Sequence, residues 1–211
     1  DKRMKRNKRD YVLYLIGIMM LTLGVSLTVQ SDLGAGSIDS INFALAHRLN
    51  INLSIVIFVM ALLAIAISTC IRCERPKFTT LITAFFMAIR TEFWVFVVSP
   101  IVPETLMQKI VVFSIAVILV CTGLALYLKP KLPAHPNDDI TVSISEVSNL
   151  KIGTAKLMMD AICMIIALLL QGPIGGGTII LTLFVGPGVN LATYLLEKLP
   201  FINDLQPYHI Q

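Results

Sequence analysis

The sequence predicts an all-α membrane protein of six transmembrane helices. They form two inverted three-helix repeats, with short re-entrant or interfacial helices after helices 1 and 4. Three observations predict it. The 211-residue chain is 56% hydrophobic and only 14% charged, and apolar runs long enough to cross a bilayer recur along its length. Its Lys and Arg residues gather on alternate sides of those runs. Finally, residues 23–67 laid on 122–166 without a gap give nine identities in 45 positions, Gly24 meeting Gly123 and Asp39 meeting Asp138 (138 − 39 = 99). So apolar a chain is no soluble domain. Its net charge of +4 signals no affinity for nucleic acid, because six of 17 basic residues fall in the first nine positions. There they orient the chain in its bilayer.

Residues 1–10 form a basic head, read as cytoplasmic, with Lys2, Arg3, Lys5, Arg6, Lys8 and Arg9. The first repeat runs over 11–103. Its first span, Tyr11–Val29, covers roughly 28 Å at helical rise, a full hydrocarbon core. That is longer than the core of a signal peptide, and no Ala-x-Ala site follows. A polar, Gly-rich stretch over 32–48 comes next, followed by spans at Ile51–Ile71 and Phe78–Val98. Pro100 and Pro103 then mark a loop. The second repeat, 104–196, has spans at Thr105–Leu128, Ile152–Leu170 and Thr178–Leu196, with a second acidic turn over 131–147. The tail 197–211 holds too few apolar residues to span.

Orientation follows from the basic residues. With the N-terminus in the cytoplasm, Arg72, Arg75, Lys77, Lys129, Lys131 and Lys151 lie inside, leaving only Arg48 and Lys109 in the outer loops. Both termini are then cytoplasmic, in a bacterial inner membrane. Three spans per half send the second half through the membrane in the opposite sense. Secondary transporters share this symmetry, with sites near the midplane where helices are broken.

Each acidic turn leads into a segment too short to span, Ser40–Leu49 or Asp139–Ser148, about 15 Å long at helical rise. Asp39 and Asp138 stand where an N-cap belongs. They either cap these segments or line a solute or ion path with Asp32, Ser37 and Asp139, since irregular backbone at membrane depth needs a polar cavity. Gly34 and Gly36 give the first turn its freedom. Arg90 and Glu92 lie more than halfway along the third span, where charge is costly unless paired or hydrated. The equivalent depth of the sixth span reads Val185-Gly-Pro-Gly-Val-Asn190, and Pro187 frees a carbonyl there. Both halves are therefore expected to interrupt their third helix at one depth. Either these residues line a central cavity, or the third span simply ends near Arg90. Lys156 and Asp160 share a helix face at i, i+4. They form a snorkelling ion pair or line the inner mouth of the path. Gly175-Gly-Gly177-Thr178 reads as a tight turn, because no lysine follows as a phosphate loop needs.

Enzymatic chemistry finds little support. His47, His135 and His209 lack metal-ligand spacing, and Cys70-x-x-Cys73 has no second pair. No metal, cofactor or catalytic residue is expected.

The pattern Asp32-Leu-Gly-Ala-Gly-Ser-Ile-Asp39 after a first span resembles the YczE/YyaS/YitT-like family of small bacterial multi-span membrane proteins. In that family an Asp-Leu-Gly turn and an Asp motif recur in each half. Pro136-Asn-Asp138, Lys156-x-x-x-Asp160, Gly175-x-Gly177-Thr178 and Gly186-Pro187 resemble its second half. The first half departs, with Lys77-Phe-Thr-Thr80 in place of the Gly-x-Gly-Thr turn and Arg90-Thr-Glu92 in place of the Gly-Pro. The resemblance implies the fold and no activity. The leading expectation is transport of a small polar or charged solute or ion through a site between the repeats. Asp39 and Asp138 would bind the solute or a coupling cation, and Arg90 and Glu92 would complete the cavity. The alternatives are a membrane-embedded regulatory or assembly partner of another protein, or the substrate-capturing subunit of a larger importer. The bilayer is the first partner, and a homodimer or membrane-protein partner a further one.

Overall fold

Two glycine-bearing helices cross here at backbone distance, and the rest of the chain is arranged about that crossing. A computed structural model describes residues 8–34 and 36–198. The basic head before Lys8 and the tail beyond Lys198 lie outside the described residues. Helix α1 (Lys8–Ser31) packs most extensively on α5 (Leu106–Leu128). A Cβ on Gly24 would meet Val120 N at 2.9 Å and Ala116 O at 3.0 Å. One on Gly123 would meet Leu21 N at 2.5 Å and Gly17 O at 2.9 Å. Small residues let helices in a bilayer gain van der Waals contact where lipid supplies no hydrophobic drive between them.

Around this pair lie α2 (Ser37–Leu49), α3 (Leu53–Arg72), α4 (Thr79–Val98), α6 (Pro136–Ser148), α7 (Ile152–Leu169) and α8 (Gly176–Glu197). Helices α1, α3, α4, α5, α7 and α8 are long and apolar enough to cross a membrane, as a multi-pass membrane protein requires. Their ends fall within three residues of the expected spans, because apolar run length sets both. Helix α4 packs on α1, α8 on α5 and α7, α6 on α3 and α7, and α2 on α7 and α3. Buried Ile18, Leu21, Val120, Leu124, Val185 and Val189 fill the core where α1, α5 and α8 meet.

Three expectations are corrected. The short helices begin at Ser37 and Pro136, three residues before the expected segments, so their N-caps are Gly36 and His135 and not the two aspartates. His135 Nδ1 accepts from Asn137 N–H at 3.3 Å, and Pro136 sits where a missing N–H costs nothing. Both short helices end on an asparagine in the left-handed region, Asn50 at φ 52° and Asn149 at φ 53°, a conformation asparagine tolerates. Secondly, α4 runs without interruption past Arg90 to Val98. Thirdly, α8 continues through Pro187, whose exposed ring faces away from the core. Beside it Gly186 and Gly153 bring α7 and α8 into backbone contact, so these glycines serve packing. The turn into α8 is tight as expected, with Gly175 N–H donating to Thr178 Oγ1 at 3.3 Å.

Candidate functional site

Helix α7 carries the feature on which the polar side chains converge. Lys156 Nζ pairs with Asp160 Oδ1 at 2.6 Å, with side-chain exposures of 14% and 9%. The i, i+4 spacing puts both on one face, and enclosure makes the contact a charge-assisted hydrogen bond little weakened by water.

One aspartate from each half approaches this pair. Helix α2 is moored to the end of α7 by Ser40 Oγ, which donates to Pro173 O at 2.8 Å. The preceding loop is held to the start of α8, where Gly177 N–H donates to Leu33 O at 2.8 Å. Gly34 has φ 144°, and a Cβ there would meet Thr178 N at 2.8 Å, so only glycine fits the crossing of these loops. Asp39, third residue of α2, is then close enough for the charges of Lys156 and Asp160 to act on it, and its carboxylate reaches back to the Gly36 backbone. It keeps solvent access although protein crowds it on most sides. Loss of bulk hydration is the largest influence and holds its carboxyl above the ordinary aspartate range. Lys156 and the Gly36 contact oppose that rise, and Asp160 adds to it.

Asp138 is the third residue of α6, which also packs on α7. It accepts a short hydrogen bond from Tyr127 Oη of α5, and the charge of Lys156 acts on it as well. The turn before it is fastened by two hydroxyls that donate to Pro133 O, Tyr14 Oη at 2.8 Å and Thr83 Oγ1 at 2.7 Å. The Tyr14 and Tyr127 rings lie 6.0 Å apart. His135, next to Asp138, has its imidazole pushed down by burial and by Lys156, against the pull of Asp138. It is therefore neutral at physiological pH.

The other expected residues fall elsewhere. Asp139 points to α3, where Arg72 grips it through two nitrogens at 2.8 and 3.0 Å and also holds Glu146 at 2.6 Å. That triad borders a cavity of about 250 Å³ shared with Lys77, Thr80 and Lys131, apart from the Lys156 cluster. Asp32 pairs at the surface with Lys109 at 2.9 Å, and Ser37 is buried at the first turn of α2. Glu92 is exposed on α4 and Arg90 is partly buried, with no ion pair to either among the described residues. The face that α4 turns to α1 carries Thr80, Thr83 and Met87, so neither charge reaches Lys156. Lys156 and Asp160, which share a helix face as their i, i+4 spacing requires, pair with each other, and the charge of Lys156 acts on both Asp39 and Asp138. Sequence reasoning passed over Tyr127, Tyr14 and Thr83, and weighed His135 only as a metal ligand. The one signal for Tyr127 was a phenol inside an apolar run, which needs a partner when buried.

One ammonium thus pairs with Asp160 and acts on the carboxylates of Asp39 and Asp138, the latter held by the Tyr127 hydroxyl. Such an arrangement of charges can hold an ion or a small polar group. It offers no activated nucleophile among the residues named.

A family model described as a family of unknown function, DUF6198, matches residues 8–194. The chain is 32% identical over 192 residues to the uncharacterised protein YyaS of Bacillus subtilis, covering 89% of this chain and 94% of that one. It is 24% identical over 177 residues to the uncharacterised membrane protein YczE of the same organism, covering 83% and 81%. An uncharacterised Haemophilus influenzae protein is 24% identical over 191 residues, covering 89% and 85%. No solved structure matches the chain.

Proposed function

The chain belongs to the family of unknown function DUF6198, alongside YyaS and YczE, and we propose that it transports a small polar or charged solute across a bacterial cytoplasmic membrane. The observation that carries this reading is the convergence of α2 and α6, one from each half, on the charge of Lys156. In this reading the halves are inverted repeats, the short helices are re-entrant from opposite membrane faces, and both termini are cytoplasmic.

Several regularities support the inversion. Helices α2 and α6 begin and end 99 residues apart (136 − 37 and 148 − 49). The left-handed residues Asp32 and Lys131 keep that interval, as do Asn50 and Asn149. At the central crossing Gly24 faces Val120 and Ala116, while Gly123 faces Leu21 and Gly17. Each of these is the counterpart of another at the same offset (123 − 24, 120 − 21, 116 − 17). The packing pairs exchange likewise, α1 on α4 with α5 on α8, and α2 on α7 with α6 on α3. The largest departure is that α7 packs closely on α8, whereas α3 and α4 hardly touch. A gap on one side only suits an entry path, and transport sites between inverted repeats lie at such a centre.

The test compares cells making the native chain with cells making Lys156→Met at equal membrane levels, by untargeted analysis of intracellular metabolites and ions. Native cells should shift at least one polar solute, and the variant should match cells lacking the protein. Equal profiles for native chain and variant would remove the transport reading.

A second reading is favoured by Glu92, a charge on the outward face of α4 that has no ion-pair partner among the described residues. It makes the chain a partner of another membrane protein, whether in regulation, in assembly or as the capturing subunit of an importer. Stable co-purification of such a protein, with an unchanged solute profile, would decide for it.

A further inference from the structure

The outward surface of α4 stands apart from the Lys156 cluster and is built differently from that of its counterpart. Helix α8 has both α5 and α7 against it, whereas α4 has α1 and only a slight contact with α6. Away from α1, α4 shows a stripe of Ile82, Phe85, Phe86, Ile89, Phe93 and Phe96, each at least half exposed. Lipid solvates such a stripe as well as protein does, so apolarity alone names no partner. Charge beside the stripe is different, because hydrocarbon offers it neither water nor a counter-charge.

Arg90 and Glu92 bring that charge. Both lie at least about 9 Å from either end of α4, beyond the reach of a snorkelling side chain. Neither makes an ion pair among the described residues. They cannot pair with each other, because residues two apart on a helix point to different sides. At about 100° per residue, Glu92 stands about 60° to one side of Ile89 and Arg90 about 100° to the other. Between them, Thr91 O accepts from Ser26 Oγ of α1 at 3.2 Å, which holds α4 at this depth with the stripe turned outward. One outward stripe is thus flanked by opposite charges at nearly one depth.

We infer that the outward face of α4 is an interface between two copies of this chain, closed by reciprocal Arg90–Glu92 ion pairs. Two copies inserted in one membrane in the same sense are related by a two-fold axis along the membrane normal, so their α4 helices run parallel. Rotation about that axis sets each flank of one helix beside the opposite flank of the other. Arg90 of each copy therefore meets Glu92 of the other, within about 3 Å in depth. The pairing occurs twice, as an isologous interface requires. Each charge gains a counter-charge that lipid cannot supply, and the stripe packs between the two pairs. An unrelated protein would have to carry both charges at that depth; a second copy already does. This assigns to a second copy the face that the second reading above leaves to another protein, and it holds whether or not the chain transports.

The test places the purified full chain in lipid vesicles and reads energy transfer between copies labelled at the N-terminus with donor or acceptor. Native copies should show transfer above random encounter, saturating as protein per lipid rises. Arg90→Glu alone and Glu92→Arg alone should each weaken self-association about tenfold or more, since like charges then face each other. A mixture of these two variants should recover transfer between unlike copies, because both pairs are then restored. The double variant Arg90→Glu/Glu92→Arg should associate as the native chain does. Should either reversal fail to fold, Arg90→Gln and Glu92→Gln take their place, each weakening association while the double exchange keeps it. Transfer at the random level for native copies overturns the inference and leaves the face to lipid or to another protein. Transfer that ignores every substitution overturns the α4 face. Reversals that mixing does not rescue overturn the reciprocal pairs.

Discussion

Arg72→Met should lower the unfolding free energy by about 3–5 kcal/mol, as measured by chemical unfolding in detergent micelles. The guanidinium and the Asp139 carboxylate are 6% and 7% exposed, and two parallel hydrogen bonds of 2.8 and 3.0 Å join them. Glu146 takes a third nitrogen at 2.6 Å. Attraction between buried charges does little more than offset their lost hydration, so the intact pair adds modestly to stability. Removing one partner strands the other without either compensation. Asp139 also anchors α6 to α3, which sets the approach of Asp138 one residue earlier. The double variant Arg72→Met/Asp139→Leu should recover much of the loss, because Glu146, at 38% exposure, can turn to water. A single variant as stable as the native chain would show that the triad does not form.

Gly24→Ala and Gly123→Ala should each cost about 1–3 kcal/mol, and by similar amounts. A methyl on Gly123 falls 2.5 Å from Leu21 N and 2.9 Å from Leu21 Cα, so α1 and α5 must part. On Gly24 the nearest atoms are Val120 Cγ2 at 2.8 Å and Val120 N at 2.9 Å. Backbone cannot rotate away as a side chain can, and parting the central crossing loosens every helix packed on it. Gly176→Ala is the control, with nothing within 4 Å to meet. Unfolding of the three variants under one condition reads both effects. A large loss at Gly123 beside none at Gly24 would contradict the two-fold relation of α1 and α5.

The helices were legible because apolar run length and polar interruptions are written into the linear order. The offset of 99 was legible for the same reason, and it fell on the bounds of α2 and α6. What hydropathy lacks is direction around a helix axis. It marked Asp39 and Asp138 as acids beside apolar runs, and could not say that both turn toward α7. It ranked Arg90 and Glu92 by depth, the axial coordinate, though their place on α4 keeps them from Lys156. Arg72 read as a cytoplasmic charge at the end of a span, because its partner Asp139 lies 67 residues away. Gly186-Pro187 read as a break. The helix tolerates that proline on its exposed side, and the glycine admits α7 at backbone distance.

Convergence of both acidic turns on Lys156 is tested most directly by isotope-edited infrared titration of the Asp39 carboxyl, in the native chain and in Lys156→Met. Asp39 should titrate above the ordinary aspartate range, since enclosure raises it and Lys156 only partly restrains that rise. Removing the ammonium should move the Asp39 midpoint higher still, because its charge favours the ionised carboxylate. An Asp39 titration left unchanged by Lys156→Met would contradict a shared site.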